Sequence, residues 1–163
     1  MKTLYLVRHA KSSWDYDLDD FDRPLNKRGE FDAPLMGKIM FEKGIKPDYI
    51  LSSPASRAIK TATIFAEQLK YQKQVGTQHS LYHASAANLL QAVKNTKHDV
   101  QQLMLFGHNP GLTSFANQLT TDIIDNIPTC GIYAITFEAN SWSEIALKKG
   151  KLLFYDYPKN HKK

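Results

Sequence analysis

The sequence predicts an α/β fold: a three-layer α/β/α sandwich around a mostly parallel central sheet. Short, wholly apolar runs, Leu4-Tyr5-Leu6-Val7, Tyr49-Ile50-Leu51 and Leu103-Met104-Leu105-Phe106, read as strands buried on both faces. Longer stretches with apolar residues at helical spacing alternate with them, the pattern of parallel strands covered by helices. The chain has 163 residues, 42% of them hydrophobic, with no repeat or low-complexity tract, enough for one sizeable core. A single domain over residues 1–158 followed by a basic tail, 159–163, is the expected organisation.

The first strand, Leu4–Val7, is followed at once by Arg8-His9-Ala10. A polar run to about Leu25 comes next, with Asp15, Asp17, Asp19, Asp20 and Asp22 among Trp14, Tyr16 and Phe21. The alternating aspartates suggest a calcium loop, but the sixth position is Asp20 rather than glycine and the twelfth is Asn26 rather than glutamate. A solvated active-site loop is the better reading. Asn26 caps a helix expected to run to about Lys43 and to bury Phe31, Leu35, Met36, Ile39 and Met40. Pro34 is expected to kink or delay that helix, and Gly44 to end it.

Tyr49–Leu51 leads into Ser52-Ser53-Pro54, with Ser53 as N-cap and Pro54 as first residue of a helix to about Leu69. Arg57 then lies in the first turn, where the helix dipole is unfavourable to a cation. An anion held between it and the free backbone N–H groups resolves the conflict. A solvated arginine is the plain alternative. A strand near Val75–Gln78 follows, then Leu81-Tyr82-His83 and a short helix capped by Ser85. The strand Leu103–Phe106 runs into Gly107-His108-Asn109-Pro110-Gly111, with Asn109 as N-cap and Pro110 as first helical residue. Ile132–Phe137 and Leu152–Tyr157 read as the last strands, the final one at a sheet edge because lysines and a proline flank it.

The net charge of +5 is spread along the chain and densest in the tail, with no basic stripe between aromatics and no DNA-reading motif. Nucleic acid is therefore not an expected partner, and a mildly positive field suits an anionic substrate. No run is long and apolar enough to cross a bilayer, no signal peptide is visible, and one cysteine, Cys130, cannot form an internal disulfide. A cytoplasmic protein with no membrane association is the expectation, and Cys130 reads as a buried structural residue. The sequence encodes no oligomeric state.

In parallel α/β sheets ligands bind beyond the carboxyl ends of the strands. Arg8-His9, Ser52-Ser53 leading to Arg57, and Gly107-His108 all stand at such ends. If those strands are neighbours, two guanidinium groups and two imidazoles converge on a pocket for a dianionic phosphoryl group. A metal site from His9, His79, His83 and His108 is disfavoured, since no helical His-x-x-x-His spacing or nearby carboxylate supports it.

Arg8-His9-Ala10, Ser52-Ser53-Pro54 with Arg57, and Gly107-His108 resemble the histidine phosphatase (phosphoglycerate mutase-like) superfamily. The Arg-His-Ala-Lys-Ser opening, together with the short length, is similar to its SixA-type phosphohistidine phosphatase branch, and Arg23-Pro24-Leu25 and Arg28-Gly29 extend the likeness. The resemblance implies a phosphoglycerate mutase-like fold and a ping-pong mechanism through a phosphorylated histidine, with no cofactor or metal. It makes His9 the nucleophile, has Arg8 and Arg57 hold the phosphoryl oxygens, and has a protonated His108 donate to another of them. A core histidine remains the alternative for His108, and a surface ion pair for Arg57.

Many larger members carry a proton-donating carboxylate after the third strand, whereas residues 68–98 here contain no Asp or Glu. An alkoxide leaving group needs a general acid more than an imidazole does. Phosphohistidine on a phosphorelay or carrier protein is therefore the expected substrate, although His83 or an aspartate of the 15–22 loop can still supply a proton. A phosphomonoesterase for a small metabolite and a non-catalytic phosphate-binding module are the alternatives.

Overall fold

The computed structural model describes residues 1–162. In chain order the elements are β1 (Lys2–Arg8), α1 (Lys27–Glu42), β2 (Tyr49–Ser52), α2 (Ser56–Gln68), β3 (Gly76–Thr77) and α3 (Ala86–Lys94). They continue with β4 (Gln102–Gly107), α4 (Gly111–Leu119), β5 (Ile132–Phe137) and β6 (Lys151–Asp156). The strands form one sheet in the order β3-β2-β4-β1-β5-β6. β1, β2, β3 and β4 pair in parallel, β5 runs against β1, and β6 runs against β5. The mostly parallel α/β sandwich read from the sequence is the observed architecture.

Alternation along the central strands divides the core. Leu4, Leu6, Leu103 and Leu105 face α3 and α4, meeting Leu89, Val93, Leu112 and Phe115. Tyr5, Val7, Met104 and Phe106 face α1 and α2, meeting Met36, Met40, Ala62 and Phe65. Each fully buried side chain of this size contributes roughly 1.5–3 kcal/mol of transfer free energy. Register aligns Arg8 with Gly107, and Ser52 with Phe106, so β1, β4 and β2 end side by side. The helices that follow β1 and β4 leave to opposite faces, which opens a crevice between those two ends.

Several local expectations change. α1 is capped by Asn26, whose side chain accepts from Gly29 N–H, but its buried face is Gly29, Asp32, Ala33, Met36, Gly37 and Met40. Phe31 is exposed, and the Lys162 ammonium lies 5.5 Å from its ring. Small residues let α1 lie close against its neighbours: a Cβ on Gly37 would meet the Gln68 side chain at 3.0 Å. Pro34 neither delays nor ends the helix, which is continuous from Lys27 to Glu42. Gly44, at φ +80°, closes it, with Gly44 N–H donating to Phe41 and Ile45 N–H to Met40.

α2 begins at Ser56 with Ala55 as its cap, so Ser53 is not the N-cap and Pro54 precedes the helix. α4 begins at Gly111 with Pro110 in the cap position, and Asn109 acts from one residue earlier by accepting from Thr113 N–H. In both cases the strand-to-helix corner is longer by two or one residues than the capping pattern predicts. That extra length leaves Ser53 free for another use. The tail is held down: His161 pairs with Asp156 at 2.8 Å and Lys162 with the buried Asp32 at 2.6 Å. Lys163, the last residue of the basic tail, lies outside the described residues.

Candidate active site

At the carboxyl ends of β1, β2 and β4 a cavity of about 260 Å³ is lined by Arg8, His9, Asp20, Arg23, Arg57 and His108, with His83 and Trp14 at its edge. The sequence-predicted residues Arg8, His9, Arg57 and His108 are therefore together. The apolar run of β1 carries Arg8 and His9 to the sheet edge, where Cys130 N–H donates to both of their carbonyls. Ala10 N–H donates to Thr61 Oγ1, and the Thr61 hydroxyl donates to the Arg57 carbonyl, tying the turn after His9 to α2.

His9 is buried, and its Nδ1 lies 2.7 Å from the Ala10 carbonyl. A carbonyl only accepts, so Nδ1 carries the proton and Nε2 keeps the lone pair. Arg57 Nε stands 3.4 Å from that Nε2. Burial, followed by the charges of Arg57, Arg8 and Arg23, lowers the His9 pKa to about 4 against a favourable contact from Ala10. The imidazole is therefore neutral near pH 7 and available as a nucleophile.

His108 sits beside it, ring centroids 5.1 Å apart. Its Nε2 is 2.8 Å from Ser53 Oγ, the hydroxyl that the capping pattern had assigned to α2. Its Nδ1 is buried and has no partner among the described residues. Burial and then the neighbouring His9 and Arg57 lower the His108 pKa to about 3. The protonated His108 expected from the sequence is thus corrected: in the resting pocket the ring is neutral, because desolvation and adjacent cations oppose a second charge.

Arg8 donates through Nη1 to the Ile127 carbonyl at 3.0 Å, while its Nε is buried without a partner among the described residues. Arg57 is buried and grips Asp20, Nη2 to Oδ2 at 3.0 Å and Nη1 to the main-chain carbonyl at 2.6 Å. Arg23, also buried, donates from Nε to Asp20 Oδ1 at 3.1 Å and from Nη1 to Ser12 Oγ at 2.7 Å, and its guanidinium stacks 3.4 Å from the Trp14 ring. Tyr82 donates to Asp20 Oδ2 at 2.6 Å, and His83 Nε2 lies 3.1 Å from the same oxygen. Burial alone would raise the Asp20 pKa. Hydrogen bonds from Tyr82, Arg57 and Arg23 outweigh it and hold the carboxyl well below its ordinary range.

Sequence reasoning did not include Asp20, Arg23, Ser53 or Tyr82 among the site residues. The available signal was the Asp20-x-x-Arg23 spacing next to the Arg-Pro-Leu motif. No set of three or more metal-ligating side chains clusters among the described residues. No helix there is long and apolar enough to cross a membrane. A neutral nucleophilic nitrogen surrounded by guanidinium groups and orphan donors can bind a tetrahedral oxyanion and attack its centre.

The family model described as histidine phosphatase superfamily (branch 1) matches residues 4–81. An uncharacterized chloroplastic protein of Arabidopsis thaliana is 35% identical over 153 residues, covering 88% of this chain and 70% of that protein. An uncharacterized protein of Mycobacterium tuberculosis is 28% identical over 165 residues, covering 94% of this chain and all of the relative. Among solved structures, SixA of Agrobacterium tumefaciens aligns with a TM-score of 0.83 at 24% identity, covering 96% of this chain and 98% of that one. The protein histidine phosphatase SixA complexed with tungstate aligns at 0.82 and 20% identity, covering 98% and 99%. These two structures share the fold, down to a matching overall length. With the family model over residues 4–81 and a relative 35% identical that is matched over 70% of its length, this chain belongs to the histidine phosphatase superfamily and has the fold of the short SixA-type proteins.

Proposed function

We propose that this protein is a phosphatase that forms a phosphohistidine at His9 and acts on phosphohistidine carried by a protein. The observation that carries the reading is the state of His9: neutral, with its Nδ1 proton spent on Ala10 and its Nε2 lone pair in a pocket of arginines. In this mechanism Nε2 attacks phosphorus in line with the departing group. Arg8 and Arg57 hold the phosphoryl oxygens and neutralise the charge that spreads onto them, and His108 donates to a third. Water then cleaves the phosphohistidine and releases phosphate. A SixA structure of the same fold is a complex with tungstate, an oxyanion of similar shape, which supports the assignment of the pocket.

The substrate class follows from what the pocket offers a leaving group. Asp20 is the sole carboxylate lining the cavity among the described residues, and it is engaged by Arg57, Arg23 and Tyr82. Held in its ionised form, it is a poor proton donor for an alkoxide. An imidazole leaves more easily, which favours a P–N bond. The cavity, at about 260 Å³, also lies at the small end of ligand sites, suiting a phosphorylated side chain presented by a protein.

The test is hydrolysis of a phosphohistidine protein beside a panel of phosphate monoesters, by the intact chain and by His9→Ala. The expected result is preference for phosphohistidine, abolished by the substitution. Preference for monoesters would replace this reading with a phosphomonoesterase. Phosphate binding without turnover of either would replace it with a binding module.

A further inference from the structure

We propose that His83 is the proton donor of this site, matched to an imidazole leaving group. The proposal rests on the phosphohistidine reading above and names the group that does the work of the missing carboxylate. His83 stands at the edge of the cavity that contains His9, and its side chain is 55% exposed. Its Nε2 is paired with Asp20 Oδ2 at 3.1 Å, so Nδ1 is the ring atom left to exchange a proton with a ligand. The ring stacks on Tyr82, centroids 4.1 Å apart, and stands edge-on to His108 at 5.5 Å. The groups that face it are thus the Asp20 carboxylate, the Tyr82 phenol, the His108 imidazole and, through Asp20, the Arg57 guanidinium.

The backbone is built to hold it there. His83 has φ +51°, in the left-handed region that a non-glycine residue seldom adopts. The next residue is clamped: a Cβ on Gly111 would lie 1.9 Å from the Ala84 carbonyl oxygen, so only glycine lets α4 start this close. His83 and His108 are consequently fixed to one another across the start of α4.

Position also decides which leaving group such a donor serves. An ester's leaving oxygen is bonded to phosphorus, deep among Arg8, Arg57 and His9, and its acid must touch that atom. A phosphorylated imidazole accepts its proton on the other ring nitrogen, farther from phosphorus and nearer the cavity's edge, where His83 stands. In the first step His9 Nε2 bonds to phosphorus, the substrate P–N bond breaks, and the proton of His83 passes to that second nitrogen. The substrate histidine leaves as a neutral ring. In the second step water bonds to phosphorus, the P–N bond to His9 breaks, and the water proton passes to solvent, from which His83 regains its own, restoring the starting state and yielding inorganic phosphate. Asp20 is a positioning residue that holds the ring through its Nε2.

The experiment compares His83→Gln with the intact chain on a phosphohistidine protein and on p-nitrophenyl phosphate, whose phenolate leaves without a proton. The expected result is a loss of about a hundredfold in kcat on phosphohistidine, at the low end of what a positioned acid contributes, with p-nitrophenyl phosphate turnover retained. His83→Ala supplies the second readout: added imidazole restores part of its phosphohistidine turnover and leaves p-nitrophenyl phosphate unaffected. Equal losses on both substrates, or no loss on phosphohistidine, would overturn the role of His83 while the function reading stands. An intact chain inactive on phosphohistidine would overturn the function reading itself, and this inference with it.

Discussion

Asp20 occupies the guanidinium fork of Arg57, carboxylate on Nη2 at 3.0 Å and main-chain carbonyl on Nη1 at 2.6 Å. The chain thereby places its own anion where Arg57 would meet a phosphoryl oxygen. An incoming phosphate must displace a charge-assisted hydrogen bond worth roughly 1.5–3 kcal/mol. Asp20→Asn is expected to tighten inhibition by inorganic phosphate about tenfold, since 1.4 kcal/mol is a factor of ten. The same variant should have a lower kcat on phosphohistidine. Unchanged or weaker phosphate inhibition would show that Asp20 does not compete for the fork.

The two pocket histidines set an acid limit on both activity and stability. His9 and His108 have pKa values lowered to about 4 and about 3, against 6.5 for an exposed imidazole. Below pH 6.5 the unfolded chain binds protons that the folded pocket refuses. This part of the stability is complete above pH 6.5 and is lost as pH falls through 4 and 3. Thermal melting should show Tm falling between pH 6.5 and 4.5 in the intact chain, and falling less in His9→Gln/His108→Gln. The acid limb of kcat/KM on p-nitrophenyl phosphate, a substrate without its own imidazole, should lie nearer pH 4 than pH 6.5.

Ser53 fixes His108 through a 2.8 Å hydrogen bond. Ser53→Ala removes the hydroxyl that fixes Nε2 and leaves the ring free to reorient. The cost of a neutral hydrogen bond is about 1 kcal/mol, and turnover is expected to fall roughly fivefold with KM little changed. A raised KM at constant kcat would instead mark His108 as a ground-state binder.

Gly111→Ala forces a Cβ into the Ala84 carbonyl. Separating α4 from that carbonyl is expected to cost about 1–3 kcal/mol, the usual range for overpacking, read as a shift in the urea midpoint. It should also lower phosphohistidine turnover through His83. Gly44→Ala, where nothing lies within 4 Å but φ is +80°, is the control: it strains a helix end far from the site and should leave kcat unchanged.

What could be read from residues alone follows a physical division. β1, β2 and β4 were legible because strands buried on both faces must be apolar throughout, and the same runs located Arg8, His9, Arg57 and His108 at their ends. The buried face of α1 was misread because counting large apolar residues selects Phe31, whereas close packing against α2 selects Gly37 and Ala33. Asp20 was one of five similar aspartates in a segment without periodicity. Its distinction lies in contacts with Arg57 and Tyr82, which are 37 and 62 residues away. The charge of His108 depends on burial, and Ser53 was hidden by a plausible capping pattern that the longer corner sets aside.

β4 lies between β1 and β2, which do not pair with each other. The Arg8–His9 end and the Arg57 corner are therefore brought to the same crevice by a strand that begins at Gln102. During synthesis the ribosome releases both arginines and the nucleophile long before that strand exists. The nascent chain has its reactive groups but no frame to assemble them on, so catalytic competence arrives in one step, when β4 inserts. An N-terminal fragment ending before residue 102 is therefore expected to lack the proposed activity, however intact its motifs, and a split protein to regain it when the second piece contributes the middle of the sheet.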